Sequence, residues 1–291
     1  MAKIAVENSP TIYGLPDGEG YNPPHAGFLA IGHGWTARDV VCTAGPHDRP
    51  FEEQHTQTSI AVVVSGTFQY RTSTGQELMS TGSLLLGNRG DSYACGHEHS
   101  TGDRCVSFHY SEELRDEFPA DSKRRSFRVA RIPAIRELSP VTARVAAALR
   151  GGVDGVAFDE VALQLMDRAI RLQDGLSGRQ RTADASSLAR ITRVLRRIEA
   201  EPADPYGLSD LAAEARLSPF HFLRSFEELT GTTPHQYLLR LRLRRAAIRL
   251  QEESARILDI ALDCGFGDVS NFNRAFRTEF GKNPRAYRNG G

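Results

Sequence analysis

The sequence predicts an α+β chain: an N-terminal β-barrel, a helical segment, and an all-α C-terminal domain in which one helical unit is written twice. Three observations carry this expectation. Short β-prone runs divided by turn residues fill positions 27–110, apolar residues then switch to helical spacing, and a pattern of aromatic, basic, Gly and Pro residues near the C-terminus returns fifty positions later.

With 291 residues and 40% hydrophobic content, the chain can build about two cored domains. Lys plus Arg equals Asp plus Glu at 36 each, so bulk charge selects no partner. Divided at Ser187, the balance separates: 17 basic and 13 acidic residues follow, 19 and 23 precede, giving about +4 and −4. The sign favours a polyanion partner for the C-terminal repeat. The start, MAKIAVENSP, shows neither a basic-then-apolar leader nor a twin-arginine pattern, and no 18-residue apolar run occurs. A cytoplasmic protein with no membrane partner is expected. Four cysteines in a chain this long do not make a disulfide scaffold.

Residues 1–26 are rich in Gly and Pro and read as an arm. Strands are expected at 28–32, 39–43, 59–64, 67–71, 76–79, 83–86, 92–95 and 104–110, with hairpin turns at Ser65-Gly66 and Ser73-Thr74-Gly75. So many short strands suggest a sandwich or a closed barrel over 27–110. Residues 111–172 form a helical coupling or dimerisation segment, with a short acidic helix at 111–118, a charged link at 121–126, and amphipathic helices at 140–149 and 158–172. Their apolar stripes either pack on the β-domain or form a homodimer interface. The stretch 173–185, rich in Gly, Ser and Arg, reads as a flexible linker.

The C-terminal domain, 186–291, opens with a helix carrying Leu188, Ile191, Leu195 and Ile198 on one stripe, ended by Pro202 and Pro205. Phe222, Arg224, Phe226, Gly231, Pro234 and Tyr237 return as Phe272, Arg274, Phe276, Gly281, Pro284 and Tyr287. Upstream, Leu208, Leu211 and Ala212 return as Ile257, Ile260 and Ala261 at an offset of forty-nine, so the second copy has one extra residue in its turn. Ser218 stands at an N-cap with Pro219 first in the helix, and Gly231 stops it. Each copy thus reads as two short helices about a tight turn, a helix-turn-helix at 208–230 and at 257–280, whose second helix is built to enter a DNA major groove. The connecting helix from Pro234 to about Glu253 spans roughly 30 Å, near the ~34 Å between successive major grooves on one side of a duplex.

Phe222 with Phe226, and Phe272 with Phe276, are spaced for the core. That leaves Phe220, Leu223 and Arg224 in the first copy, and Val269, Ser270, Asn271, Asn273 and Arg274 in the second, for base contacts. Arginine pairs with guanine and asparagine with adenine, while apolar groups meet thymine methyls. Ser218, Thr232, Thr233, Arg240, Arg277, Lys282 and Arg285 lie near helix ends, where phosphates are held.

Over about Leu188–Arg288 the chain resembles the AraC/XylS family of bacterial transcription regulators. The motif is Ile257–Leu262, Gly265-Phe266, Ser270-x-Phe272-x-Arg274-x-Phe276, Phe280-Gly281, Pro284 and Tyr287-Arg288. The resemblance implies two helix-turn-helix units on a linker helix, binding to double-stranded promoter DNA, usually activation, and RNA polymerase as a partner. Leu223 departs from the polar base reader common there. Gly66 and Gly82-Ser83-Leu84-Leu85-Leu86 resemble the cupin-like sensor domain of such regulators, which implies an effector.

Seven of nine histidines and three of four cysteines precede residue 110. Alternation in the strand 104–110 puts Cys105, Ser107 and His109 on one face. Three readings stay open: a site for zinc or another transition metal drawn from Cys95, His97, His99 and Cys105; a redox- or electrophile-responsive pair, Cys95 with Cys105; or ordinary buried cysteines and surface histidines around a pocket for a small organic effector. A rival for the whole chain is a cupin-type metalloenzyme with a helical scaffold, which predicts turnover and no salt-dependent DNA binding.

Overall fold

The computed structural model describes residues 24–73, 75–118, 126–151, 158–176 and 184–290. The arm up to residue 23, most of the charged link, and 177–183 of the expected linker lie outside the described residues.

Among the described residues, ten strands form two sheets. They are β1 (His25–Gly32), β2 (Trp35–Cys42), β3 (Phe51–Gln54), β4 (Thr58–Gly66), β5 (Phe68–Thr72), β6 (Gly75–Met79), β7 (Leu84–Gly87), β8 (Ser92–Gly96), β9 (Asp103–Tyr110) and β10 (Arg131–Ile132). A six-stranded sheet runs β1-β2-β9-β4-β7-β10 and a four-stranded sheet runs β3-β8-β5-β6. The eight expected strands are present within a few residues. The sequence reading missed β3, four residues with the charged pair Glu52-Glu53 inside, and β10, two residues that pair with β7 after the expected end of the domain.

Period-two alternation decides what each face of the larger sheet meets. Ile60, Val62, Leu84, Leu86, Val106, Phe108 and Tyr110 face one core; Ala61, Val63, Leu85 and Cys105 face the other sheet. The first core is completed by α2 (Ser139–Gly151) and α3 (Phe158–Gln173), through Val141, Val145, Val161, Leu165 and Met166. A short α1 (Glu112–Glu117), capped by Ser111, leads into this layer. The stripes of α2 and α3 are therefore spent on the β-domain, and α2 packs its other side on the C-terminal domain.

That domain comprises α4 (Ala185–Ala200), α5 (Leu208–Glu214), α6 (Pro219–Thr230), α7 (Pro234–Glu252), α8 (Ile257–Asp263), α9 (Val269–Phe280) and α10 (Pro284–Arg288). It has two cores, one per copy of the repeat. Phe222, Phe226 and Tyr237 pack with the α4 stripe Leu188, Ile191, Leu195 and Ile198; Phe272, Phe276 and Tyr287 pack on Leu243, Ala246, Ala247 and Leu250 of α7. Each fully buried phenylalanine contributes about 1.5–3 kcal/mol. Leu78 of β6 enters the first core and Ala143 of α2 the second, so the N-terminal half touches both units. No helix among the described residues is long and apolar enough to cross a membrane.

Candidate nucleic-acid interface

The two copies share one turn. The Arg216 amide donates to Ala213 O (2.9 Å) and that of Leu217 to Ala212 O (3.0 Å); forty-nine positions on, Gly265 donates to Leu262 O (2.9 Å) and Phe266 to Ala261 O (3.1 Å). Both turns pass through the left-handed region, with φ of 53° at Arg216 and 86° at Gly265. The extra residue in the second copy is Gly267, set in open space between Phe266 and the N-cap Asp268. The copies therefore differ by an inserted residue after the left-handed step, not in the step itself. Gly265 is required for a second reason: a Cβ there would lie 2.6 Å from Ala203 O, where the first unit touches the second.

Each recognition helix is pinned by its capping residue and its phenylalanines. Ser218 Oγ accepts from the His221 amide, and Asp268 Oδ1 from that of Asn271 at 2.7 Å. Phe222, Phe226, Phe272 and Phe276 are fully buried, which turns the opposite faces outward. Arg224, Ser270, Asn271, Asn273 and Arg274 are exposed there, Phe220 is 70% exposed, and Leu223 and Val269 are half-buried. Arg274 donates to Asn271 Oδ1 at 3.3 Å, so the two present one hydrogen-bonding group. With 19 residues, α7 is about 28 Å long, close to the groove repeat.

Of the residues expected near phosphates, Ser218, Arg277, Lys282 and Arg285 are exposed, and Arg277 and Arg285 line a groove with Asn273 and Arg274. Thr233 is half-buried and caps α7, accepting from the Gln236 amide at 3.1 Å. Two assignments need correcting. Thr232 is only 5% exposed, its chain turned inward by the left-handed Gly231 before it. Arg240 points into the body of the protein, donating to Ala134 O at 3.1 Å beside Glu279, and burial lowers its pKa. Neither side chain is available to a phosphate.

Arg242 was not singled out by the sequence, where it is one of many arginines in α7. It donates to four carbonyls: Pro202 (2.6 Å), Gly265 (2.9 Å), Ala203 (3.4 Å) and Asp204 (2.6 Å). The first unit's α4–α5 loop and the second unit's turn are thereby tied to one guanidinium.

In the N-terminal domain a cavity of about 390 Å³ lies between the sheets. Cys105, Ser107 and His109 all line it, as alternation requires. His55 bonds Tyr70 Oη (2.7 Å) and Ser59 Oγ (3.0 Å) and stacks on Tyr93. Burial, with His109 nearby, lowers the His55 pKa to about 4; burial, with Arg38 nearby, lowers His109 to about 4. The walls therefore carry neutral imidazoles.

The structure redraws the expected Cys/His set. Cys42, His97 and Asp103 come together, with Cys105 Sγ 3.3 Å from Asp103 Oδ2. His99 belongs elsewhere: it lines an open groove with Ser65 and the α4 arginines. Burial pushes the Cys95 and Cys105 thiols well up, the opposite of an activated pair. Burial alone would lower His97, but its bonds to Asp103 and Cys42 raise it to about 9. The missing signal was the strand register, which sets Cys42 opposite Asp103.

Comparison with known proteins bears on the repeat. A family model described as a helix-turn-helix domain matches residues 211–290. The HTH-type transcriptional activator RhaS of Escherichia coli O139:H28 is 35% identical over 128 residues, 44% of this chain and 43% of that one. The chain thus spans less than half the length of this relative. Among solved structures, an AraC-type transcriptional regulator from Chromobacterium violaceum is 34% identical, covering 36% of this chain and 95% of that one, with a TM-score of 0.34. The DNA-binding domain of AdpA in complex with a target DNA is 29% identical, covering 34% and 90%, with a TM-score of 0.34. The duplicated turns, the buried phenylalanine pairs and the match over 211–290 agree: the C-terminal domain of this chain is a helix-turn-helix domain of the AraC type.

Proposed function

We propose that the protein is a cytoplasmic, effector-responsive transcription activator that binds promoter DNA through α6 and α9 in adjacent major grooves. The observation that carries the reading is the duplicated recognition helix, held at both ends of a 19-residue helix with Arg224 and Arg274 facing outward. One chain then reads an asymmetric site, Arg224, Phe220 and Leu223 at one end and Ser270, Asn271, Asn273 and Arg274 at the other. The second copy supplies more hydrogen-bonding groups and so more of the sequence discrimination. The match to RhaS, a transcriptional activator by name, supports activation, and RNA polymerase is the partner that the family resemblance implies.

The cavity between the sheets, with neutral His55 and His109 and several hydroxyls on its wall, suits a small hydrogen-bonding organic effector. Coupling to DNA runs through direct contacts as well as the linker. Arg131 of β10 pairs with Glu77 (2.9 Å) and donates to Thr230 O at the end of α6 (3.0 Å). A gel-shift titration at two salt concentrations tests the reading: specific affinity should fall steeply as salt rises. Binding that is absent, or indifferent to salt, refutes it.

A further inference from the structure

We propose that Cys42 and His97, with Cys105 as a second thiol and Asp103 orienting the imidazole, form a site for one thiophilic divalent cation of the zinc class. The site is assembled by topology. Cys42 ends β2, Asp103 and Cys105 share a face of β9, and the register places Cys42 opposite Asp103. His97 reaches them from the facing sheet, just past the end of β8. One donor atom each from Cys42, His97 and Asp103 lies within 4.8 Å of the others.

The distances place the donors close to coordination range. Cys42 Sγ is 4.0 Å from His97 Nδ1, near the separation that metal–sulfur and metal–nitrogen bonds of ~2.3 and ~2.0 Å span. The other ring nitrogen, Nε2, lies 2.6 Å from Asp103 Oδ1, so Asp103 holds the imidazole by its far side, the carboxylate orientation that metal-ligating histidines need, and does not itself join the donors. Cys105 Sγ, 3.3 Å from Asp103 Oδ2, adds a second sulfur. The His97 and Asp103 side chains are 1% and 7% exposed and bonded to each other, so the imidazole is buried and held in one orientation. Sulfur and imidazole donors select zinc, cadmium or cobalt over magnesium and calcium. Cys42, Asp103 and Cys105 line the cavity between the sheets, which supplies the path in.

The test is a titration of the reduced full-length chain with Co²⁺ under anaerobic conditions, after chelation, followed by displacement with Zn²⁺. One equivalent should give tetrahedral visible bands and a thiolate-to-cobalt charge-transfer band, both removed by zinc. Cys42→Ser and Cys105→Ser should each weaken the charge-transfer band, and Asp103→Asn should lower affinity about 10–100-fold. Cys264→Ser, in the second helical core, should change nothing. Circular dichroism and the unfolding midpoint establish that each variant is folded; should Cys42→Ser not fold, His97→Gln serves in its place. A wild type without the thiolate band, or an undiminished band in the Cys42→Ser, Cys105→Ser double variant, overturns the proposal. No readout involves DNA, so failure here leaves the regulator reading standing, and failure of that reading leaves this site standing.

Discussion

Replacing Arg242 with alanine tests whether the two helix-turn-helix units act as one rigid reader. The guanidinium bonds Pro202 O and Gly265 O at 2.6 and 2.9 Å in partly buried positions, and Ala203 O and Asp204 O in exposed ones. The exposed pair contributes little, because water replaces the lost donor. The two part-buried bonds carry charge and are worth about 1.5 kcal/mol each at the low end of their range, so the preference at stake is roughly 1.5 kcal/mol if water replaces one of them and roughly 3 if neither is replaced. In a gel shift this should appear as a loss of about 10–150-fold for a duplex carrying both half-sites one helical turn apart. Half-site duplexes should bind within about threefold of wild type, since neither recognition face is touched. Arg242→Lys should fall between, because an ammonium cannot span the same carbonyls. Equal losses on half and full sites, or none on the full site, would refute the argument.

Three further outcomes are expected. Arg274→Ala should weaken specific binding by about 1–3 kcal/mol and relax preference at one base pair, while Arg277→Ala should lower the salt slope by about one; an unchanged preference in the first removes Arg274 as a base reader. Arg216→Gly should raise the unfolding free energy by about 0.5–1 kcal/mol, since Arg216 alone among described non-glycine residues has positive φ, and a lower denaturation midpoint would contradict this. His55 and His109 have folded pKa values of about 4 against about 6.5 unfolded, so the unfolded chain takes up protons that the folded one refuses as pH falls from 6.5 to 4. Stability should drop across that window by up to about 3 kcal/mol per histidine, and His109→Gln should flatten the fall; an identical profile in urea titrations would rule it out.

What could be read in advance follows from the range of the forces involved. The helical repeat was legible because Phe222, Phe226, Phe272 and Phe276 mark the core by local spacing, and Ser218, Pro219 and Gly231 mark helix ends by local chemistry. The strand alternation that sends Cys105, Ser107 and His109 into one cavity is equally local. Tertiary partners were not legible. Arg240, Arg242 and Arg244 look alike in the sequence of α7, yet the first is held by Ala134 O, the second clamps four carbonyls, and the third is buried against Gly82. His99 and Asp103 exchange roles in the cysteine cluster because register, which no window of sequence carries, decides what faces Cys42. Arg216 hides a left-handed turn because its counterpart Gly265 is the residue that advertises one.

The contacts between halves change what the linker has to do. Leu78 is packed in the first helix-turn-helix core and Ala143 in the second, while Arg131 holds the end of α6 and Ser139 of α2 donates to Glu279 of α9. The N-terminal half therefore grips each recognition helix by a separate element, β6 and β10 for α6, and α2 for α9. Were β10 displaced relative to α2, the angle between the two helices would change; since groove spacing is fixed by the duplex, affinity for a full site should then fall while half-sites stay readable. Within this seam Arg244 is 6% exposed, its guanidinium set against Gly82 and near Tyr237, Glu279 and Glu199. The seam between the β6–β7 turn and α7 thus carries a buried cation, and it lies between the N-terminal sheets and the helix that spaces the two helix-turn-helix units.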